Sequence, residues 1–294
     1  MAQYAMKHMK TFCSVVECGG FVSAQGVLGM SQPGISTHIR DFEIRLGFQL
    51  CHRGRSGFTL TEKGLLVYEK CRAMLNSVSD FEADLGELRN KLTGSLRIGI
   101  IDNTITNPDF PVTKAIRRFF ARQNDVLINV EVLAPDALER ELLNGSIHLA
   151  LGPFQRTESS LNYQLLYHEK HRFYCAREHP LFNLTASEIS WESLQEHPVS
   201  SRAYLQSSDL PGIQNRAFVS NMEAQAMLIN SGQFIGLLPQ HYAQQWVDKG
   251  EMREIEHLNL AHESPFYLVS RKSSSIPNVI KIFIDDLMNE IESA

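Results

Sequence analysis

The sequence is short of paired cysteines, of long apolar runs and, in one stretch, of charge. Its five cysteines (Cys13, Cys18, Cys51, Cys71, Cys175) form no CxxC and leave an odd one over. That excludes a disulfide framework and suits reduced thiols in a cytoplasmic protein. Residues 18–39 hold no Lys, Arg, Asp or Glu, yet five Gly, a Pro and several Ser and Gln interrupt them. A membrane span needs about 20 predominantly apolar residues, so none is read here, and the N-terminus shows no apolar signal-peptide core. No GxSxG, GxGxxG, P-loop or HExxH pattern occurs, so the familiar sequence signals of an enzyme are missing. His168-Glu-Lys-His171 misses the zincin spacing by one residue. With Cys175 and His179 it offers only a weak metal set, and neither metal nor cofactor is expected.

What is present points to more than one folding unit. A length of 294 residues favours two to three. The overall charge of −5 argues against nucleic acid only if the chain is one body. Residues 1–60 hold six Lys/Arg against three Asp/Glu, whereas residues 94–294 hold 17 against 24. A basic head on an acidic body fits a nucleic-acid module joined to something else.

In the head, Met9, Phe12, Cys13 and Val16 make a helical stripe that Gly19-Gly20 ends. Ser23–Leu28 reads as a short second helix. Ser31 is a good N-cap for a third, with Pro33 tolerated in its first turn. Ile35, Ile39, Phe42 and Leu46 bury one side of this third helix. Pro33, Thr37 and Arg40 then lie opposite, Ser36 flanks them, and His38 sits about 60° from the buried stripe. The pattern alone fits a groove-reading helix or an ordinary solvated corner equally well. Residues 49–60 tip the balance, because they read as two short strands around a Gly-rich turn carrying Arg53 and Arg55. A basic hairpin beside two such helices is a winged helix-turn-helix, in which the helix would read the major groove and the wing would hold phosphate or reach into the minor groove.

Val67, Cys71, Met74, Val78, Phe81, Leu85, Leu88 and Leu92 then recur in steps of four and three. This is a coiled-coil seam, with a helix packed on its own chain as the alternative. A seam of Met74, Val78, Phe81, Leu85 and Leu88 would pair two copies for two half-sites. Thr93-Gly94-Ser95 breaks the helix. Beyond it, strands are expected at Leu96–Ile100, Ile128–Leu133, Leu149–Leu151, Phe173–Ala176 and Phe234–Leu238. Helices are expected at Thr113–Ala121, Ala137–Asn144 and Met222–Asn230, and a last helix carries Ile280, Phe283, Ile284, Leu287 and Ile291. That alternation indicates an α/β half with mostly parallel pairing.

The head is similar to the DNA-binding domain of LysR-type transcriptional regulators. The matching residues are Phe12, Gly19, Phe21, Ala24, Leu28, Ser31-Gln32-Pro33, Ser36, Ile39, Glu43, Leu46-Gly47, Leu50, Arg53, Leu60-Thr61 and Gly64. The departures are Gln25 for the family's usual Ala, Val27 and Thr37 for Arg, Cys51 for Phe, and His148 for Asp. The second half resembles the family's effector domain through Leu96-Arg-Ile-Gly99, Leu142-Leu-Asn-Gly145, Leu149-Ala150, His179-Pro-Leu181, Trp191-Glu-Ser-Leu194 and 231–239. The resemblance implies a periplasmic-binding-protein-like fold of two subdomains. It divides the chain into a DNA-binding domain (1–60), a linker and dimerisation helix (61–93) and an effector domain (94–294). Within the last, subdomain I would span about 94–165 and 267–294, and subdomain II about 166–266.

The same resemblance assigns DNA contacts to Ser31, Gln32, Pro33, Ser36, Thr37, Arg40, Arg53 and Arg55. Effector contacts fall to Asn103, Thr104, Phe154, Ser200, Ser201 and Arg202, residue types able to hold a small carboxylate or polar ring, although ordinary loop roles fit them equally. The partners implied are double-stranded DNA, a small-molecule effector and a second copy or a tetramer, with RNA polymerase as a further candidate and no membrane. Three rivals remain: an enzyme, a free-standing solute receptor, and a thiol sensor, for which Cys175 is the lone thiol beyond residue 93.

Overall fold

The first sixty residues bury their apolar stripes in one small core. Helix α1 (Ala2–Glu17) leads to α2 (Ala24–Leu28) and α3 (Gln32–Leu46). Phe12, Val15, Phe21, Ala24, Ile35, Ile39, Phe42 and Leu50 are buried together, with Cys13, Cys51 and Cys71 filling the gaps. The computed structural model describes residues 2–54, 57–87, 91–154, 157–202, 215–256, 262–272 and 276–292. Ser31 caps α3, its hydroxyl accepting from Gly34 N at 3.4 Å. Two antiparallel strands, β1 (Cys51–Gly54) and β2 (Gly57–Leu60), form the wing, with Arg53 opposite Phe58. Glu43 ties the wing to α3, accepting from Leu50 N at 2.7 Å and Cys51 N at 3.4 Å.

Helix α4 (Glu62–Glu87) follows at once. Thr61 links wing and helix, donating to Gln49 O (2.9 Å) and accepting from Gly64 N (2.8 Å). A Cβ at Gly64 would lie 1.9 Å from Leu50 O, so only glycine lets the helix start this close to the wing. After α4 the chain doubles back along it. Gly94 takes φ +109°, and a side chain there would strike Ala83, while Ser79 and Ser95 share a 3.3 Å hydrogen bond. By compactness the chain divides into two units, one mainly residues 1–95 and the other nearly all of the rest.

The second unit is built on β3 (Thr93–Ile100), α5 (Val112–Phe120), β4 (Asp125–Val132), α6 (Pro135–Asn144), β5 (Leu149–Gly152) and β6 (Leu161–Ala176). Then come α7 (Trp191–Gln195), β7 (Val199–Arg202), β8 (Asn215–Val219), α8 (Met222–Asn230) and β9 (Ile235–Pro239). The series ends with α9 (Gln240–Val247), β10 (Met252–Glu254), β11 (His262–Arg271) and α10 (Asn278–Glu292). The sheet order is β4-β3-β5-β11-β6-β9-β7-β8, with β10 also on β6.

Pairing is less parallel than the sequence pattern predicts. β3 with β5, and β7 with both β8 and β9, are parallel. β11 with β5 and β6, and β6 with β9 and β10, are antiparallel. The reason is that β6 and β11 are long strands crossing between the two subdomains, and each subdomain keeps its own α/β alternation. The last helix packs on α5 through Phe283 and Phe119, ring centroids 5.8 Å apart. Its buried Asp286 takes a two-pronged contact from Arg122 (2.5 and 2.6 Å) and a third from Arg118 (3.1 Å). Those contacts satisfy a carboxylate that burial would otherwise make costly.

Candidate functional site

The first site is the outer face of α3. Gln32, Pro33, Thr37 and Arg40 are exposed, Ser36 is half-buried, and Ile35, Ile39 and Phe42 are turned inward. A polar, partly basic face on a helix joined to α2 by a short turn has the shape and donors for a major groove. Gln25 fastens the two helices: its carbonyl oxygen accepts from Gln32 N (3.2 Å) and its amide donates to Val22 O (3.3 Å). Thr37 turns its hydroxyl back to Pro33 O at 3.0 Å. His38 packs against His8, ring centroids 5.5 Å apart, and its Nδ1 is buried without a partner. Burial first, then the charges of Lys7 and His8, lower its pKa, so it is a packing residue in its neutral form. Arg53 lies in β1; Arg55 falls outside the described residues.

The second site lies among the strand ends of the α/β half. Asn103 and Thr104 follow β3, Phe154 follows β5, and Ser200, Ser201 and Arg202 end β7. The β7 trio is buried and bonded into the protein. Ser200 Oγ donates to Ile235 O (3.4 Å) and Ser201 Oγ to Asn215 Oδ1 (2.5 Å). Phe154 is buried edge-on to Tyr163. Asn103 holds φ 57°, the one left-handed non-glycine residue among those described. Its neighbour Asp102 accepts from Met222 N at the start of α8 and from Asn103 Nδ2 (2.9 Å). The first loop is thereby fixed to the second subdomain.

Beside these residues the structure assembles a polar network that the sequence reading missed. Thr106 Oγ1 lies 2.8 Å from His241 Nδ1, and His241 Nε2 lies 3.0 Å from Glu169 Oε1. Asn107 Nδ2 donates to the same oxygen at 3.5 Å. Glu169 Oε2 faces His171 Nε2 (3.2 Å), which Arg202 Nη2 approaches to 3.1 Å. The chain of contacts therefore runs from the first loop through β6 to α9 and β7. Burial alone would raise the Glu169 carboxyl, but the His241 hydrogen bond and the nearby Arg202 charge hold it below its ordinary value. His171 is pushed down to about 3, by burial first. It is neutral at pH 7, so it lends Glu169 no charge there. A cavity of about 440 Å³ opens on this network, walled by Thr106, Asn107, Asp109, Glu169 and His241 among others.

One signal for the network was in the sequence. Tyr167, Glu169, His171 and Phe173 alternate on one face of a strand, and a carboxylate and an imidazole on such a face need partners. The contributions of Thr106, Asn107 and His241 come from distant loops and left no local pattern. The metal set read from the sequence does not assemble. His168 is exposed, His179 caps Leu181 N (3.2 Å), and no group of three or more His, Cys, Asp or Glu is suited to a metal among the described residues. Cys175 is fully buried and its thiol is pushed up to about 11 by burial, a poor setting for a reactive thiolate.

A winged helix-turn-helix, a long helix and a two-subdomain α/β half together make a transcription regulator with a DNA-reading head and an effector-binding body. The chain belongs to the LysR family of such regulators. Residues 6–65 match the model for the bacterial regulatory helix-turn-helix protein, lysR family, and residues 89–291 match the LysR substrate binding domain. It is 32% identical over 289 residues to the HTH-type transcriptional activator BauR of Pseudomonas aeruginosa, covering 97% of this chain and 95% of that protein. It is also 38% identical over 94 residues to the activator AaeR of Escherichia coli, covering 32% and 30%. In fold it is similar to CbnR, a LysR family regulator (TM-score 0.68, 16% identity, 97% and 99% covered), and to CbnR complexed with its target DNA (0.67, 18%, 98% and 99%). No helix among the described residues is long and apolar enough to cross a membrane.

Proposed function

We propose that this regulator works in the cytoplasm as a homodimer or a pair of dimers, without enzymatic activity, and that its two heads read paired half-sites. The exposed face of α3 supports this most directly: Gln32, Ser36 and Thr37 face bases, with Ser31 and Pro33 at the groove edge. Arg40, Arg53 and Arg55 hold phosphates. The domain boundaries proposed are 1–60 for the head, 61–93 for the linker and 94–294 for the effector domain. In α4, Met74, Phe81 and Leu85 are 51%, 59% and 40% exposed in the single chain. Such residues at heptad spacing support pairing through Met74, Val78, Phe81, Leu85 and Leu88, the last lying outside the described residues. A small-molecule effector would sit between the subdomains, touching Asn103, Thr104, Phe154, Ser200, Ser201 and Arg202. The Thr106–His241–Glu169 chain supports a place between the subdomains, because it spans both beside a cavity of useful size, although that cavity is walled by residues such as Asn107, Glu169 and His241 and by none of those six. RNA polymerase would be the partner through which binding becomes activation or repression.

Phosphate contacts carry affinity without sequence information. Replacing Arg53 and Arg55 by Ala should therefore weaken binding to every duplex alike. It should also reduce the slope of log K against log salt by about 1.8 per head, or about 3.6 for a bound dimer, since each phosphate contact contributes about 0.9. Fluorescence anisotropy over a salt series measures both. A loss confined to one sequence would show that these arginines read bases instead.

A further inference from the structure

We infer that Thr37 selects thymine, through its methyl group, at the base pair it faces, and rejects guanine there. The inference rests on the reading of α3 as the groove helix and goes beyond it to what that helix reads. A threonine hydroxyl has one proton to give, and Thr37 gives it to Pro33 O, one turn back, at 3.0 Å. The side chain is exposed, so with Oγ1 turned back along the helix its Cγ2 methyl and the oxygen lone pairs are what remain for a base. Guanine shows two acceptors, N7 and O6, in the major groove and no donor. Opposite a hydroxyl whose proton is already committed, those acceptors meet only lone pairs and carbon. Thymine presents its 5-methyl, the partner a threonine methyl packs against.

The neighbours agree with this division of roles. Gln32 has its backbone N–H taken by Gln25 Oε1 at 3.2 Å, a bond that fixes the start of the helix. Its exposed amide can pair with adenine N6 and N7. No Lys or Arg stands between Ser31 and Ile39. The first basic group on the helix, Arg40, comes nearly a turn later than Thr37. The two-donor fork that guanine prefers is therefore absent from the N-terminal turns, where base contacts are made.

The test uses the full-length protein and a randomised duplex library, with Thr37→Arg selected in parallel. The position that changes from T·A to G·C between the two selections marks the Thr37 contact. Replacing that thymine by uracil, which removes only the methyl, should weaken wild-type binding about fourfold, the value of one buried methyl-sized group. Thr37→Val keeps the methyl and should keep the penalty. Thr37→Ser lacks the methyl and should bind the two duplexes equally. A wild-type preference for G·C at that position, or an undiminished uracil penalty in Thr37→Ser, overturns the inference while leaving α3 as the reader. No enriched sequence at all overturns the reading of α3, and this inference with it. The residue is exposed, so all three variants should melt as the wild type does, which circular dichroism checks.

Discussion

His171 has three neighbours that no single protonation state satisfies. Its Nδ1 is 3.2 Å from Glu169 O, while Nε2 is 3.2 Å from Glu169 Oε2 and 3.1 Å from Arg202 Nη2. A neutral ring with its proton on Nδ1 donates to the carbonyl and accepts from the guanidinium, and burial, which holds its pKa near 3, favours that form. The unfolded chain takes up the proton near pH 6.5. The folded state therefore keeps the full contribution of this residue above that pH and loses it as pH falls from about 6.5 toward 3. The loss is about 1.4 kcal/mol per pH unit, or about 2 kcal/mol by pH 5. His179, pushed down to about 4 by burial and then by His197, adds to the same acid sensitivity. Urea melts at pH 7, 6 and 5 should show stability falling, and His171→Gln should make the fall shallower. An unchanged pH slope in that variant would mean the buried imidazole is not held neutral. At this scale the sequence was legible where neighbours along a helix define a face: Pro33, Thr37 and Arg40 are exposed, as the helical wheel has them. It was not legible where partners come from separate loops, as with Thr106, Glu169 and His241.

Among the elements, several helices and the short buried strands β5 and β9 lie within a residue or two of the sequence expectation. Helix α8 covers Met222–Asn230 as expected, and α5 and α6 differ from expectation by a residue or two at an end. Strand β6 shows why others were missed. The sequence pattern marks it only at Phe173–Ala176, where both faces are buried, but it begins at Leu161. Its earlier residues include Asn162, Gln164, His168 and Lys170, which face solvent or the cleft and dilute the apolar signal. Strand β11 opens with His262-Glu263 for the same reason. The linker helix α4 offers the clearest test at this scale. Its Phe81 and Leu85 are about half uncovered in one chain, and the two together would contribute about 1.5–3 kcal/mol per chain if a partner helix covered what is exposed. Phe81→Asp combined with Leu85→Asp should shift the mass measured by light scattering from a dimer or larger toward a monomer. A mass unchanged from wild type would place the pairing surface elsewhere.

For the whole molecule, the separation of charge and of chemistry is what makes a regulator. The head carries a net +3 over residues 1–60 and the body a net −7 over residues 94–294, so the overall −5 conceals a DNA-binding end. The head holds the winged helix-turn-helix; the body holds a polar network and cavity with no metal cluster among the described residues. A difference in affinity for two arrangements of its subdomains is what an effector would need to change the state of such a body. The measurement that bears most directly on the account is capture of fragmented genomic DNA by the purified full-length protein, followed by sequencing. Paired heads predict enriched inverted repeats whose half-site centres lie about one helical turn, or a multiple of it, apart. Recovery of no enriched sequence, or of single half-sites without a repeat, would contradict the account.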